Sequence, residues 1–207
     1  MIEKLAQVQA SRRLEKKHLI ILEPSCGHGN IIWQLVEQHL DHLEKNYTTI
    51  KIVGIDLDPR VIAVCEKRYS NSPELQNNAK LSLEFYCQSF LTSKVQDFIE
   101  TEESSPPLVV AIGGPPYGSK PEERSLPQQF VQQCMEQWDC QVIAFLVPQR
   151  FPKSLEALCG HSNDMSRRRA YACQSEELAC STFLFKGETT VKQPSRIQCY
   201  YRTDYAR

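Results

Sequence analysis

The chain has 207 residues, with 24 Lys and Arg against 25 Asp and Glu and a formal net charge of -1. Its 41% hydrophobic and 24% charged residues are typical of a soluble globular protein and exclude a disordered, collagenous or coiled-coil chain. A charge this close to zero is unlike a surface covered by positive potential, so any nucleic-acid contact is expected to be local or shared with a protein partner.

The nine cysteines are an odd number, and no two of them form a C-x-x-C pair. This pattern indicates free thiols in a reducing compartment rather than a disulfide framework. The sequence has no apolar leader and no long apolar run, so we expect a protein that is neither secreted nor membrane-bound but intracellular, in the cytoplasm or nucleus. The histidines show no metal-ligand spacing, and no metal is expected.

Short apolar runs alternate with longer segments of helical period, which predicts a parallel sheet covered by helices. Predicted strands lie at residues 18–22, 49–55, 81–87, 107–112 and 140–147, followed by weaker ones at 170–174, 181–186 and 196–202. Predicted helices lie at 1–17, 30–43, 93–100, 128–138 and 152–159, with another that begins at Pro59 after Asp58 as its N-cap. We therefore expect a single domain over residues 1–207, with an N-terminal helix at 1–17 and a core at 18–202.

The first glycine cluster joins the first predicted strand to the first helix, in E-P-S-C-G-H-G-N at residues 23–30. A G-x-G turn lets the backbone approach a ligand closely because no Cβ intervenes. The amides at the start of the following helix then point toward that ligand. The alternative is an ordinary strand-to-helix turn with no ligand.

The second cluster, V-G-I-D-L-D-P at residues 53–59, ends the second predicted strand. Asp56 at that tip is placed to bind the ribose hydroxyls of a nucleotide-like cofactor, with Leu57 against its adenine ring. The alternative is that Asp56, like Asp58, only caps the next helix. The third glycine of the dinucleotide fingerprint is replaced by Ile32, which disfavours a dinucleotide.

The third cluster is I-G-G-P-P-Y-G at residues 112–118. In order, the three clusters resemble motifs I, II and IV of the class I S-adenosylmethionine-dependent methyltransferases, and G-P-P-Y resembles the [DN]-P-P-[YF] motif of the amino-methyltransferase branch. That branch methylates N6 of adenine in RNA or DNA and, in one offshoot, the side-chain amide of glutamine in proteins. The resemblance covers residues 18–202. It implies a doubly wound Rossmann-like α/β fold with a mostly parallel seven-stranded sheet, an antiparallel strand near the C-terminus, and S-adenosylmethionine as cofactor.

The resemblance also implies roles for particular residues. Glu23 would contact the amino-acid end of the cofactor, and Tyr117 would stack on a flipped-out base. The residues it assigns to cofactor binding are Glu23, Pro24, Ser25, Gly27, Gly29, Asp56, Leu57, Ser89 and Phe90. The residues it assigns to catalysis are Gly114, Pro115, Pro116 and Tyr117, whose rigid Pro-Pro pair would turn carbonyl oxygens toward the target nitrogen.

Two positions depart from the family pattern. Gly114 stands where the family has Asn or Asp, which removes a side-chain acceptor for the target amine and would cost about 10²- to 10³-fold in rate. Ser89 stands where an acidic residue is common. A catalytically impaired methyltransferase-fold subunit that serves binding or structure therefore remains an alternative, and a Rossmann dehydrogenase a more distant one.

The expected domain leaves no room for a separate recognition module. An RNA or DNA target would then be recognised by loops, by its own fold or by a protein partner. The basic residues that could contact phosphates are Arg12, Arg13, Lys16, Lys17, Lys120, Arg124, Arg167, Arg168 and Arg169. The run of three arginines also fits a solvated loop.

Overall fold

The computed structural model describes residues 18–99, 106–116, 126–152, 171–178, 182–185, 189–192 and 194–203. The strands are β1 (His18–Glu23), β2 (Thr49–Asp56), β3 (Leu81–Cys87), β4 (Leu108–Gly113), β5 (Val142–Pro148), β6 (Tyr171–Glu177), β7 (Thr182–Phe185), β8 (Thr189–Lys192) and β9 (Ser195–Arg202). The helices are α1 (Asn30–Asn46), α2 (Pro59–Ser70), α3 (Pro73–Gln76) and α4 (Leu126–Glu136). The helix predicted at 1–17 lies outside the described residues, as does nearly all of the one predicted at 152–159.

Seven strands form one sheet in the order β3-β2-β1-β4-β5-β9-β6. The first five strands run parallel, and β9 is antiparallel to both β5 and β6. The predicted fold class, including the antiparallel strand near the C-terminus, is confirmed. The hairpin of β7 and β8 forms a separate two-stranded sheet, and its second strand was not predicted.

The chain order creates a switch point between β1 and β4. From β1 the chain moves outward through β2 to β3 and then returns to the other side of β1 as β4. Ligands of open α/β sheets bind outside the carboxyl ends of the strands at such a point. The first two glycine clusters and residues 112–116 of the third lie at this end of the sheet, because they follow or end β1, β2 and β4.

The sheet is buried on both faces, which explains its nearly continuous apolar strands. Along β1, Ile20 and Leu22 face a core that includes Phe130 of α4. Ile21 faces the opposite core, which includes Ile32 of α1. The helices thus pack on both sides of the sheet. Among the helices described, none combines the length and apolar character that crossing a bilayer requires.

The helix predicted at residues 93–100 is wrong. The structure instead has two 3₁₀ turns, Phe90–Thr92 and Val95–Asp97. The Ser93 hydroxyl donates to the Phe90 carbonyl at 2.8 Å, and the Asp97 carboxylate accepts from the Lys94 amide at 2.9 Å. Short polar side chains that bond to nearby backbone groups compete with helix formation, which accounts for the difference.

Candidate cofactor and target site

The turn after β1 is bonded directly to the tip of β2. The Gly27 amide donates to Asp56 Oδ2 at 2.9 Å, and the Cys26 amide donates to the Ile55 carbonyl at 2.9 Å. Asp56 Oδ1 accepts from the Asp58 amide at 3.0 Å. The first two glycine clusters of the sequence therefore form one unit in the structure.

This unit has room for a ligand. Gly27 has φ +52°, and apart from Gly27 and its two chain neighbours no described residue has an atom within 4 Å of where a Cβ would stand. Leu57, next to Asp56, is 72% exposed. Each carboxylate oxygen has a second acceptor site, so Asp56 can accept two hydroxyl groups while it keeps both backbone bonds. The surroundings suit a ribose beside an apolar ring.

The predicted helix cap at Asp58 is confirmed. Its side chain accepts from the Arg60 amide at 2.9 Å, at the start of α2. It also forms an exposed ion pair with the Arg60 guanidinium, whose hydrogen bond lowers the pKa of Asp58 to about 2. Asp56 and Asp58 thus differ in role: Asp56 joins the turn to the sheet, and Asp58 caps a helix.

Glu23, the last residue of β1, is 2% exposed. Its Oε2 atom has no hydrogen-bond partner among the described residues. Burial, and after it the nearby Cys65 thiol, raises the pKa of Glu23 well above its ordinary value, against the lowering effect of the Ile32 amide at the start of α1. A buried carboxyl with an unused oxygen fits a polar group brought by a ligand.

The remaining predicted residues of this turn also lie beside it. Pro24 is buried and Ser25 half-buried. Gly29 is the N-cap residue of α1, and its amide donates to the Cys26 carbonyl at 2.8 Å. The amino end of α1 therefore opens onto the turn.

The end of β3 also reaches this unit. The Gln88 amide donates to the Asp56 carbonyl at 3.0 Å, which brings the half-buried Ser89 to the same edge of the sheet. Phe90 is different, because it is 2% exposed and its ring lies 5.0 Å from that of Phe130 in the core. Phe90 can therefore face a cofactor only through its backbone.

On the other side of the switch point, β4 ends in Gly113, followed by Gly114, Pro115 and Pro116. Gly113 has φ +136°, and a Cβ there would stand 3.2 Å from Cγ of Glu23. Among the described residues, a Cβ on Gly114 would meet only the Leu146 carbonyl, at 3.9 Å. Pro115 is buried and Pro116 exposed, and Tyr117 lies outside the described residues. Only the first of the two glycines is required by the backbone.

Two cysteine thiols that the sequence analysis did not assign to the site contact the turn after β1. Cys26 Sγ lies 3.8 Å and Cys65 Sγ 3.5 Å from the Gly27 carbonyl oxygen. The interaction of the two neighbouring thiols lowers the pKa of Cys65 and raises that of Cys26. Cys65 comes from α2, and no local pattern in the sequence indicates this contact.

No protein-family model and no curated protein sequence matches the chain. Solved structures do resemble it. A Listeria monocytogenes protein assigned to the class I S-adenosylmethionine-dependent methyltransferases has a TM-score of 0.55 at 18% identity, over 98% of this chain and 59% of that one.

Two further structures resemble the chain equally well. The 23S rRNA methyltransferase ErmE has a TM-score of 0.52 at 17% identity, over 97% of this chain and 67% of that one. The small RNA methyltransferase HEN1 has a TM-score of 0.57 at 13% identity, over 99% of this chain and 26% of that one. The chain thus spans about a quarter to two thirds of the length of these three proteins. Strand order and structural similarity agree that the fold is that of the class I S-adenosylmethionine-dependent methyltransferases.

Proposed function

We propose that the chain is an S-adenosylmethionine-dependent methyltransferase that acts on an amino group, N6 of adenine in RNA or DNA. The observation that carries the proposal is the bond from the Gly27 amide to Asp56, because it joins the turn after β1 to the tip of β2. The cradle formed there by Gly27, Asp56 and Leu57 lies across the switch point from Gly114 and Pro115. Cofactor and target would then meet between β1 and β4.

The residues at the cradle fit S-adenosylmethionine. Asp56 would hold the ribose hydroxyls, Leu57 would cover the adenine, and Ser89 would accept from the adenine amine. Glu23, with one buried oxygen unused, would bind the ammonium of the methionyl end. The open space at Gly27 leaves room for that end to lie against the backbone. The bound cofactor supplies a methyl group already activated by its positive sulfur.

On the target side, the chain has to hold an amine in line with that methyl and exclude water. The carbonyl oxygens of Gly114 and Pro115 would accept hydrogen bonds from the amine as positive charge develops on nitrogen, which stabilises the transition state. The proton that the methylated amine loses would then pass to solvent. Tyr117 would stack on the extruded base. Proteins named as RNA methyltransferases share the fold, and this supports a nucleic-acid target.

Calorimetric titration with S-adenosylmethionine tests the proposal. We expect the parent chain to bind it and Asp56→Ala to bind it about 10- to 100-fold more weakly, because hydrogen bonds to a charged group contribute about 1.5–3 kcal/mol. Asp58→Ala is the matched control, since that carboxylate caps α2, and its affinity should stay within about twofold of the parent. A parent chain that does not bind the cofactor, or equal affinity in all three proteins, would contradict the assignment.

One observation favours a second candidate, a methyltransferase-fold subunit that binds the cofactor without efficient transfer. Gly114 lacks the side-chain acceptor, although neither its backbone conformation nor its described neighbours require glycine there. Tight cofactor binding without transfer to any RNA, DNA or glutamine-containing protein would support this candidate.

A further inference from the structure

The segment that follows β5 forms a tight turn at the carboxyl end of that strand, which is the neighbour of β4 in the sheet. The Phe151 amide donates to the Pro148 carbonyl at 2.9 Å, so that Gln149 and Arg150 occupy the exposed tip. The register pairs Gly113 with Phe145, and among the described residues the Leu146 carbonyl is the nearest neighbour of a Cβ on Gly114. The turn therefore lies at the target side of the proposed site.

A fully buried arginine holds this turn from the adjacent strand. Arg196 of β9 is 0% exposed. Its Nη1 donates to the Gln149 carbonyl at 3.1 Å, and its Nη2 donates to the Phe151 carbonyl. The guanidinium thus binds the backbone carbonyls on either side of Arg150.

Gln198, two residues further along β9, extends the same contact. Its Oε1 accepts from Arg196 Nε at 2.9 Å. Its Nε2 lies 2.8 Å from the Pro152 carbonyl and 2.7 Å from the Tyr200 hydroxyl oxygen. Side chains of β9 therefore bind the carbonyls of residues 149, 151 and 152.

Arg196 is not part of an ion pair within the described residues, where its hydrogen bonds go to two backbone carbonyls and one amide oxygen. An isolated buried charge is costly, and apolar side chains of similar size often fill such a position at least as well. The planar fork of arginine, however, reaches two carbonyls at fixed spacing, which a lysine ammonium cannot do. The geometry thus favours a role in shaping the turn over one in ion pairing.

We propose that Arg196 and Gln198 are positioning residues for the methyl acceptor. They fix the turn at Pro148–Pro152 as a rigid wall of the target site, and they leave the cofactor cradle between β1 and β2 untouched. This proposal rests on the proposed function, because it presumes that an acceptor binds beside Gly114. It predicts that loss of the hydrogen bonds from Arg196 to the turn weakens target binding and leaves the affinity for the cofactor unchanged.

The test compares Arg196→Met, Arg196→Lys and the parent in three measurements. Hydrogen exchange of the Gln149 and Phe151 amides should accelerate about tenfold or more in Arg196→Met, because buried carbonyls lose their partners. Affinity for single-stranded oligoadenylate RNA should fall about tenfold in Arg196→Met. The lysine of Arg196→Lys should restore only part of that affinity. Affinity for S-adenosylmethionine should change by less than about twofold, since the cradle lies several strands away.

Arg202→Met is the matched control on the same strand. Arg202 pairs with Asp139 at 2.7 Å, at the opposite end of β9, so its loss should lower stability without changing exchange at the turn. Unchanged exchange in Arg196→Met, unchanged RNA affinity, or a parallel loss of cofactor affinity would each overturn the positioning role. A parent chain that binds neither cofactor nor RNA would instead overturn the proposed function, and the positioning role with it.

Discussion

The side chain of Glu23 packs against the backbone of Gly113, so that the last residues of β1 and β4 touch across the switch point. A Cβ added to Gly113 would stand 3.2 Å from Cγ of Glu23 and 3.7 Å from its Oε1. This contact joins the proposed cofactor side of the site to the proposed target side. A substitution of either residue should therefore disturb the packing of the other.

Substitution by alanine should change the stability of the chain differently at Gly113 and at Gly114. We expect Gly113→Ala to lower the free energy of unfolding by about 1–3 kcal/mol, because it combines an unfavourable φ with crowding of Glu23. Gly114→Ala should change it by less than about 0.5 kcal/mol, since that position has space. Urea unfolding of the two variants measures this difference, and equal losses would contradict the assignment of strain to Gly113.

Gly114 offers a direct test of the missing acceptor. Among the described residues, a Cβ there meets only the Leu146 carbonyl, at 3.9 Å, and Gly114 has no positive φ, so we expect the backbone to accept an asparagine without a change of conformation. We expect Gly114→Asn to raise methyl transfer to adenine-containing RNA or DNA by about 10²- to 10³-fold. Gly114→Ala is the control, because it adds the Cβ without the acceptor. Equal rates in both variants, with cofactor still bound, would favour the non-catalytic candidate.

Glu23 should make the stability of the chain depend on pH. Its folded pKa lies well above the ordinary value of 4.5, so the folded chain keeps a proton that the unfolded chain has lost. Where the folded state holds the extra proton, the free energy of unfolding falls as pH rises, by up to about 1.4 kcal/mol per pH unit for one group. The loss begins near pH 4.5 and ends once the raised pKa is passed.

Glu23→Gln removes the titrating carboxyl group, so comparison with the parent isolates its contribution to the pH dependence of stability. We expect the variant to gain stability relative to the parent as pH increases above 4.5, measured by urea unfolding over a pH series. A stability difference that stays constant with pH would show that Glu23 titrates normally in the folded chain.

Arg150 should contribute to nucleic-acid binding through charge alone. It is exposed at the tip of the turn after β5 and has no ion-pair partner in the part of the chain that the structure describes. We expect Arg150→Gln to weaken oligoadenylate binding and to reduce the slope of log affinity against log salt by about 0.7, the value for one phosphate contact on a single strand. Lys45→Gln, in the last turn of α1, is the control, and an equal effect there would indicate non-specific attraction.

Much of the fold could be predicted because its signals are local. Continuous apolar runs such as the one in β1, and the cap at Asp58, depend on neighbouring residues only. The helix predicted at 93–100 was wrong because the periodicity of its apolar residues did not reveal that Ser93 and Asp97 bind the backbone instead. The hairpin strand β8 was missed for a similar reason, since its four residues are too few to show a period.

By itself, the sequence determined that three glycine clusters end or follow strands of a parallel sheet, and therefore lie at one edge of it. Only the tertiary structure decided which distant side chains complete that edge. Cys65 reaches the Gly27 carbonyl across 38 residues, and Arg196 reaches Phe151 across 45. Such contacts depend on how helices and strands pack and on the register of β5 with β9, and packing and register are properties of the whole sheet rather than of any local pattern.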